Sequence, residues 1–194
     1  MQATDQALGL RERKKIKTRQ AIRREAFRLI DENGYAATTV EQIAEAAEVS
    51  PSTFFRYFPS KESVLLADDL DPAILEGFAA QPPELSPTQA FRRAYETTIA
   101  GMSEEQWEFE HTRQRLIFSI PELKAAMYDE YLRTITVISE AMACRIGRDA
   151  NDFEVRVFAG ALTGAMMAAF DRAPGAVDAV YRALDFLDAG MPLT

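Results

Sequence analysis

Residues 52–61 include several polar side chains that are suited to contacts with phosphates and base edges. Arg56 and Tyr57 can donate hydrogen bonds to phosphate oxygens, and the guanidinium of Arg56 can instead pair with a guanine edge. Lys61 stands at a predicted helix start, where backbone N–H groups and the helix dipole also attract anions. With Ser52 and Thr53 beside them, these residues indicate non-covalent recognition of an anionic polymer.

The charge of the chain is divided unevenly along its length. The formal net charge is −8, yet residues 9–30 carry nine bases against two acids, a balance of +7. From Ala67 onward, the chain contains 11 basic and 21 acidic residues, a balance of −10. A basic head on an acidic body indicates an anionic partner at one end only, although a solvated basic helix face has the same pattern.

Composition excludes several classes of protein. Cys144 is the only cysteine and His111 the only histidine, so there is no internal disulfide, no cysteine zinc cluster and no multi-histidine metal site. We expect Cys144 to be a small buried hydrophobe. No apolar run of about 18 residues and no apolar signal core are seen, so we predict a cytoplasmic protein with no membrane span and no cofactor.

The pattern predicts an all-α chain of nine helices, because apolar residues recur at helical spacing and strand-like alternation is nearly absent. The helices are predicted at Leu10–Glu32, from Thr38 or Thr39, at Pro51–Phe58, Lys61–Ala80, Pro87–Met102, Glu104–Ser119, Pro121–Ile146, Asp152–Arg172 and Gly175–Asp188. Asp71-Pro72 is a candidate interruption of the fourth. The second helix can begin with a capping box of Thr38 and Glu41 or of Thr39 and Gln42.

The second and third helices form the outline of a helix-turn-helix. A tight connection, Glu48-Val49-Ser50, separates them, and Ser50 is placed to cap the third helix ahead of Pro51. Phe54 and Phe58, four residues apart, can form the buried back of that helix. The remaining side chains then face outward, as a helix that reads a DNA groove requires.

The stretch Thr38–Ala44 followed by Val49–Glu62 closely resembles the DNA-binding signature of TetR/AcrR-family transcriptional regulators. The resemblance covers about residues 13–66, and the nine-helix count is also similar to that family. With Pro51 and the run Phe55-Arg56-Tyr57-Phe58, the chain is similar to an actinobacterial subgroup related to mycofactocin-system regulators. Some of those sense acyl-CoA-like or other lipophilic ligands.

The resemblance implies a homodimeric repressor, or less often an activator, that is not an enzyme. Residues 9–66 would be the DNA-binding domain, and residues 67–194 would bind a small-molecule effector and form the dimer through the last two helices. The implied DNA contacts are Thr39, Ser50, Pro51, Ser52, Thr53, Arg56, Tyr57 and Lys61. Three departures from the family pattern are Phe55 in place of Tyr, Glu48 in place of Gly, and Pro51-Ser52 at positions that are often long and polar.

Because these departures leave fewer side chains to read bases, we expect Lys17 and its basic neighbours to add phosphate or minor-groove contacts. Among the apolar residues of the C-terminal body, five with polar tips are candidate ligand contacts. They are Trp107, His111, Arg115, Tyr128 and Tyr131.

Two other hypotheses fit the sequence less well. An enzyme lacks support, because there is no phosphate-binding glycine loop and no histidine at metal spacing from Glu104, Glu105, Glu108 or Glu110. A helical adaptor would explain the helical body but not the basic first helix or the capped helix-turn-helix.

Overall fold

The computed structural model describes residues 9–67 and 71–193, and all regular secondary structure in these ranges is helical, which confirms the all-α prediction. The chain divides into two compact units after Ala67. The first contains α1 (Leu10–Asn33), α2 (Val40–Ala46), α3 (Pro51–Tyr57) and α4 (Lys61–Leu66). The second contains α5 (Asp71–Ala79), α6 (Pro87–Ala100), α7 (Glu104–Ser119), α8 (Pro121–Ile146), α9 (Phe153–Arg172) and α10 (Val177–Asp188).

The described residues form ten helices, not the nine predicted, because the predicted helix Lys61–Ala80 is interrupted. The first part, α4, ends at Leu66, and Ala67 has the extended ψ of 123°. A new helix, α5, begins at Asp71 with Pro72 in its first turn, where a missing backbone N–H costs no hydrogen bond. Residues 68–70, which belong to the same predicted helix, lie outside the described residues.

The core of the first unit is small and built from one stripe of each helix. Ile22, Ala26 and Ile30 of α1 are buried at helical spacing. They pack with residues of α2, α3 and α4 and with the residue that follows α3. These are Ile43, Ala44, Phe54, Phe58 and Val64. The predicted back of the third helix is confirmed, because Phe54 and Phe58 are both nearly inaccessible.

The second unit has a larger core, in which α6, α8, α9 and α10 contribute most of the buried residues. Arg145 of α8 fastens the end of α5 to this core. Its guanidinium donates hydrogen bonds to the carbonyl oxygens of Gln81 and Pro82, and it lies 5.3 Å from the ring centroid of Phe78. Gln81 and Pro82 lie in the segment that follows α5, and the same guanidinium is 3.4 Å from the carbonyl oxygen of Phe78 in the last turn of α5, so this cation ties the end of α5 to α8.

One sequence prediction about the second unit is wrong. Cys144 is exposed, because its neighbours Met142 and Ala143 occupy the side of α8 that faces the core. By length and composition alone α9 could cross a membrane, although we expected no such helix. Only 28% of its most apolar 18-residue window is buried in the described chain. The helix therefore presents much apolar surface that this unit does not cover.

Candidate nucleic-acid interface and effector cavity

The start of α2 is capped by Thr39, which resolves the choice between two capping boxes. The Thr39 hydroxyl accepts a hydrogen bond from the backbone N–H of Gln42 at 3.2 Å, and the Gln42 side chain accepts one from the backbone N–H of Thr39 at 2.8 Å. The hydroxyl of Thr38 is buried and donates to backbone carbonyls of Leu29 and Gly34. Thr39 is exposed, so its outer surface is accessible to a partner.

The turn between α2 and α3 contains a residue in the left-handed region. Glu48 has φ of +54°, a conformation that glycine adopts freely and other L-residues adopt at a cost of about 1 kcal/mol. The backbone N–H of Val49 bonds to the carbonyl of Ala44 at 2.9 Å, which closes the turn around this residue. Glu48 therefore occupies a left-handed turn position, at which glycine is the favoured residue.

Glu48→Gly is expected to stabilise the first unit by about 0.5–1 kcal/mol, because it relieves this backbone strain. The measurement is the free energy of opening of α2 and α3 amides by native-state hydrogen exchange. Glu45→Gly is the matched control, because it removes the same charge from an exposed right-handed helical position and should destabilise by about 1 kcal/mol. Equal loss of stability in both variants would contradict the strain argument.

The third helix presents an accessible face made of four residues. The Ser50 hydroxyl accepts from the backbone N–H of Thr53 at 3.1 Å and so fixes the helix start. Pro51, Ser52, Phe55 and Arg56 are exposed, whereas Thr53 and Tyr57 are half-buried. The Arg56 guanidinium lies 5.4 Å from the ring centroid of Tyr57, which places the two predicted contacts side by side.

Phe55 was not among the predicted contacts, although it is about half exposed and lies on the same face. Its ring packs edge-on against buried Phe54 at a centroid distance of 5.4 Å, so it is held rather than free to rotate away. The sequence did contain a signal for its exposure. Phe55 follows Phe54, which is predicted to be buried, and adjacent residues of a helix point in different directions.

Lys61 is held inside the first unit rather than projecting into solvent. Its ammonium donates hydrogen bonds to the carbonyl oxygens of Tyr35 at 2.7 Å and Thr38 at 2.9 Å, and it lies 3.9 Å from the ring centroid of Tyr35. The Tyr35 hydroxyl donates to Glu62. Burial raises the pKa of the Glu62 carboxyl, but this hydrogen bond and further ones at the helix start outweigh burial, so the pKa lies below its usual value.

The bases of α1 fall into two groups. Arg23 is buried and donates a hydrogen bond to the Ala67 carbonyl at 2.8 Å, while the Arg19 guanidinium lies 4.8 Å from the Phe58 ring centroid. Lys17 and Lys14 are exposed. Part of the basic charge thus supports the unit itself, and the rest is accessible to an anionic partner.

A cavity of about 50 Å³ lies within the second unit, with room for a few water molecules. We call it the Trp107 cavity. Its lining is mainly apolar and comes from α5, α6, α7, α9 and the start of α10: Ile74, Tyr95, Ile99, Met102, Trp107, Glu110, His111, Gln114, Met166, Phe170, Gly175 and Val177. The Trp107 and His111 rings stack at 5.1 Å between centroids. Typical ligand pockets exceed 300 Å³, so side chains must move before a ligand of that size enters.

Gly175 closes one side of the Trp107 cavity against His111. A Cβ atom at this position would lie 2.4 Å from His111 Cδ2, and Gly175 has φ of +77°. Both observations require glycine here. The connection between α9 and α10 therefore packs directly on the histidine ring.

The five predicted ligand contacts are not brought together. Trp107 and His111 line the Trp107 cavity, whereas Tyr128 and Tyr131 line an open groove between α8 and α9. Arg115 is exposed and belongs to neither lining. Helical periodicity identified amphipathic helices but gave no information on which faces of different helices surround the same space.

Comparison with known proteins agrees with this arrangement. Residues 22–67 match the profile of bacterial regulatory proteins of the tetR family, and residues 85–192, more than half of the chain, match the MftR C-terminal domain. The second match confirms the similarity to mycofactocin-system regulators.

Two curated relatives are similar over most of the chain. The regulator TcmR of Streptomyces glaucescens is 39% identical over 153 residues, covering 75% of this chain and 64% of TcmR. The putative mycofactocin biosynthesis regulator MftR of Mycobacterium tuberculosis is 26% identical, covering 86% of this chain and 87% of that protein. The chain therefore spans just under two thirds of TcmR and most of MftR.

Solved structures share the fold. Thermus thermophilus FadR, a repressor in complex with lauroyl-CoA, aligns with a TM-score of 0.55 at 23% identity over 91% of this chain and 96% of FadR. The SmeT–triclosan complex aligns with a TM-score of 0.56 at 17% identity over 89% and 90% of the two chains. Taken with the two profile matches, these results show that the chain belongs to the TetR family of bacterial transcription regulators.

Proposed function

We propose that this regulator is a homodimeric repressor that leaves its operator when a small lipophilic effector occupies the Trp107 cavity. Residues 9–66 act as the DNA-binding domain, and residues 67–194 bind the effector and form the dimer. The observation that carries the proposal is the accessible face of α3, which is anchored from behind by buried Phe54 and Phe58. A short helix held in this way is suited to the major groove.

On this face, Arg56 reads base edges, since a guanidinium matches the two acceptors of guanine. The exposed ring of Phe55 makes an apolar contact with the methyl group of a thymine. Ser52 and Pro51 lie beside them at the start of the helix. Glu48 in the preceding turn is exposed and negatively charged, so it opposes binding by repelling phosphates.

Phosphate contacts position the head on the duplex. We assign them to exposed Thr39 at the start of α2, to half-buried Thr53 and Tyr57 of α3, and to exposed Lys17 of α1. Ser50 contributes by fixing the start of α3. Lys61 contributes by holding the loop between α1 and α2, because its ammonium is bound to two carbonyl oxygens of that loop.

The dimer forms through the outer faces of α9 and α10. Phe153 and Val157 on α9 are 79% and 52% exposed, and a groove between the two helices is lined largely by small and apolar residues. Among these are Ala161, Ala165, Ala168, Ala183 and Phe186. Small side chains let helices of two copies approach closely, and a second copy related by two-fold symmetry covers apolar surface that one chain leaves accessible.

The effector acts by shifting a population of dimers. A ligand that binds more tightly to dimers whose two recognition helices are wrongly spaced for the operator reduces DNA affinity. Linkage then requires operator DNA to weaken effector binding by the same factor. A regulator of this kind works where the chromosome is, in the bacterial cytoplasm.

The experiment is binding of the protein to DNA upstream of its own coding sequence, by fluorescence anisotropy with random DNA as competitor. Arg56→Gln is expected to weaken specific binding at least tenfold, because the dimer loses two bidentate guanine contacts, each worth about 1–3 kcal/mol. Arg93→Gln is the matched control, since Arg93 is an exposed arginine of α6 in the second unit. It should bind within twofold of the wild type.

The same assay also separates the possible failures. Binding no tighter than to random DNA, both upstream and in a genome-wide selection of bound fragments, would contradict operator recognition. An equal effect of Arg56→Gln and Arg93→Gln would show that only the total charge matters. If Arg56→Gln binds the operator as specifically as the wild type, residues other than Arg56 recognise the bases.

A further inference from the structure

We propose that the part of the effector inside the Trp107 cavity is electrically neutral and carries a hydroxyl, phenol or amide group that hydrogen-bonds to Gln114. This inference rests on the proposed function, because it concerns the ligand of the same cavity. It is carried by two features of α7: a carboxylate already neutralised by an arginine, and a buried amide with unused hydrogen-bonding groups.

The carboxylate in the cavity lining is part of an ion pair, and the pair as a whole has no net charge. Glu110 is the one carboxylate among the described residues of the lining, and it receives two hydrogen bonds from Arg113, with the Nε to Oε2 distance at 2.8 Å. Arg113 is 2% exposed and Glu110 is largely buried. The two charges compensate each other inside the protein, so neither is available to a charged ligand.

A charged group entering this cavity would lose its water without gaining a lysine, an arginine or an unpaired carboxylate as its counter-ion. Transfer of an unpaired ion into an apolar site is strongly unfavourable, whereas neutral apolar groups gain by the transfer. An anionic ligand would require a cation, but Arg113 is bound to Glu110 and exposed Arg115 does not belong to the lining. The remaining basic side chain of the described lining is His111, whose ring is stacked on Trp107. A cationic ligand would require a free carboxylate, and Glu110 is bound to Arg113.

Gln114 provides the polar contact. It is 8% exposed and lines the cavity. Its amide nitrogen donates one hydrogen bond to Glu110 at 3.0 Å. A glutamine amide has a second N–H and a carbonyl oxygen, and these are left for a ligand. A ligand with a hydroxyl, phenol or amide group can therefore form a hydrogen bond with Gln114 where it contacts the cavity wall.

The test uses three probes with the same ten-carbon chain: 1-decanol, decanoate and decylammonium, each below its micelle concentration. Trp107 is the only tryptophan of the chain and forms part of the cavity wall, so its fluorescence reports binding at this place. In the wild type at pH 8, we expect 1-decanol to bind at least tenfold more tightly than either charged probe. Thermal shift of the full-length protein provides a second readout.

Glu110→Gln should change the order of the probes. This substitution leaves the Arg113 charge without its carboxylate, so decanoate is expected to become the tightest of the three. Glu108→Gln removes the same charge from an exposed position of α7 and should leave the order unchanged. Gln114→Leu removes the amide while keeping both charges of the ion pair, and it should weaken 1-decanol binding about fivefold.

The outcomes distinguish the two proposals. If decanoate or decylammonium binds the wild type as tightly as 1-decanol, the neutral-ligand inference is wrong while the effector cavity stands. If the order is the same in Glu110→Gln, or 1-decanol binds Gln114→Leu as tightly as the wild type, the inference is also wrong. If no probe changes Trp107 fluorescence or the melting temperature, both the inference and the effector role of the cavity fail.

Discussion

Lys61→Met is expected to weaken operator binding at least tenfold while leaving the salt dependence of binding unchanged. The Lys61 ammonium binds the carbonyl oxygens of Tyr35 and Thr38. Methionine keeps much of the length of the side chain but leaves both carbonyls without this partner. Hydrogen bonds to charged groups contribute about 1.5–3 kcal/mol each, so the loop between α1 and α2 loses its main cross-link to α4.

The position of this loop matters because Thr39, the cap of α2, follows Thr38 directly. If the loop relaxes, the start of α2 is no longer held where Thr39 meets a phosphate. All contacts of the head then form less well, but the number of phosphates neutralised stays the same. A positioning role therefore changes the affinity and not the slope of log K against log salt concentration.

A direct phosphate contact by Lys61 predicts a different result. Each lost phosphate contact lowers the slope by about 0.9, so a dimer that loses two contacts changes by about 1.8. Lys17→Met is the comparison, because Lys17 is exposed on α1 and should reduce the slope in this way. The measurement is the operator dissociation constant at four or more salt concentrations, with circular dichroism to confirm folding. A slope change as large in Lys61→Met as in Lys17→Met would reject the positioning role.

The sequence predicted the helix-turn-helix well because its signals are local. Thr39, Ser50 and Ser60 cap helices through bonds to residues only three positions away, and such spacings can be read directly. The buried spacing of Phe54 and Phe58 is equally local. The interruption after Leu66 was indicated by Pro72 but was not located, because proline marks a helix start with a precision of a few residues.

The roles of single residues were harder to predict where they depend on distant partners. Lys61 appears in the sequence as a cation at a helix start, yet its partners lie 23 and 26 residues earlier. Glu110 and Arg113 are three residues apart, a spacing common on solvated helix surfaces, and the sequence does not show that this pair is buried. Cys144 was misplaced because amphipathic patterning is weak along α8, where apolar residues face several directions.

Ala161→Asp is expected to raise the dimer dissociation constant at least a hundredfold, which corresponds to about 2.7 kcal/mol. Ala161 is exposed in a single chain and lines the groove between α9 and α10. In a two-fold interface each substitution occurs twice, so two carboxylates enter a contact that is lined largely by small and apolar side chains. Burying such charges costs several kcal/mol, whereas the exposed monomer tolerates them.

Sedimentation velocity over a range of protein concentrations measures this change, and operator binding measures its consequence. A monomer presents one recognition helix, so we expect Ala161→Asp to bind a half-site weakly and to lose the preference for the full operator. Ala125→Asp is the matched control, because Ala125 is an exposed alanine of α8 outside that groove and should leave the dimer intact. If Ala161→Asp dimerises as tightly as Ala125→Asp, the copies meet through another surface, and the apolar face of α9 requires a different partner.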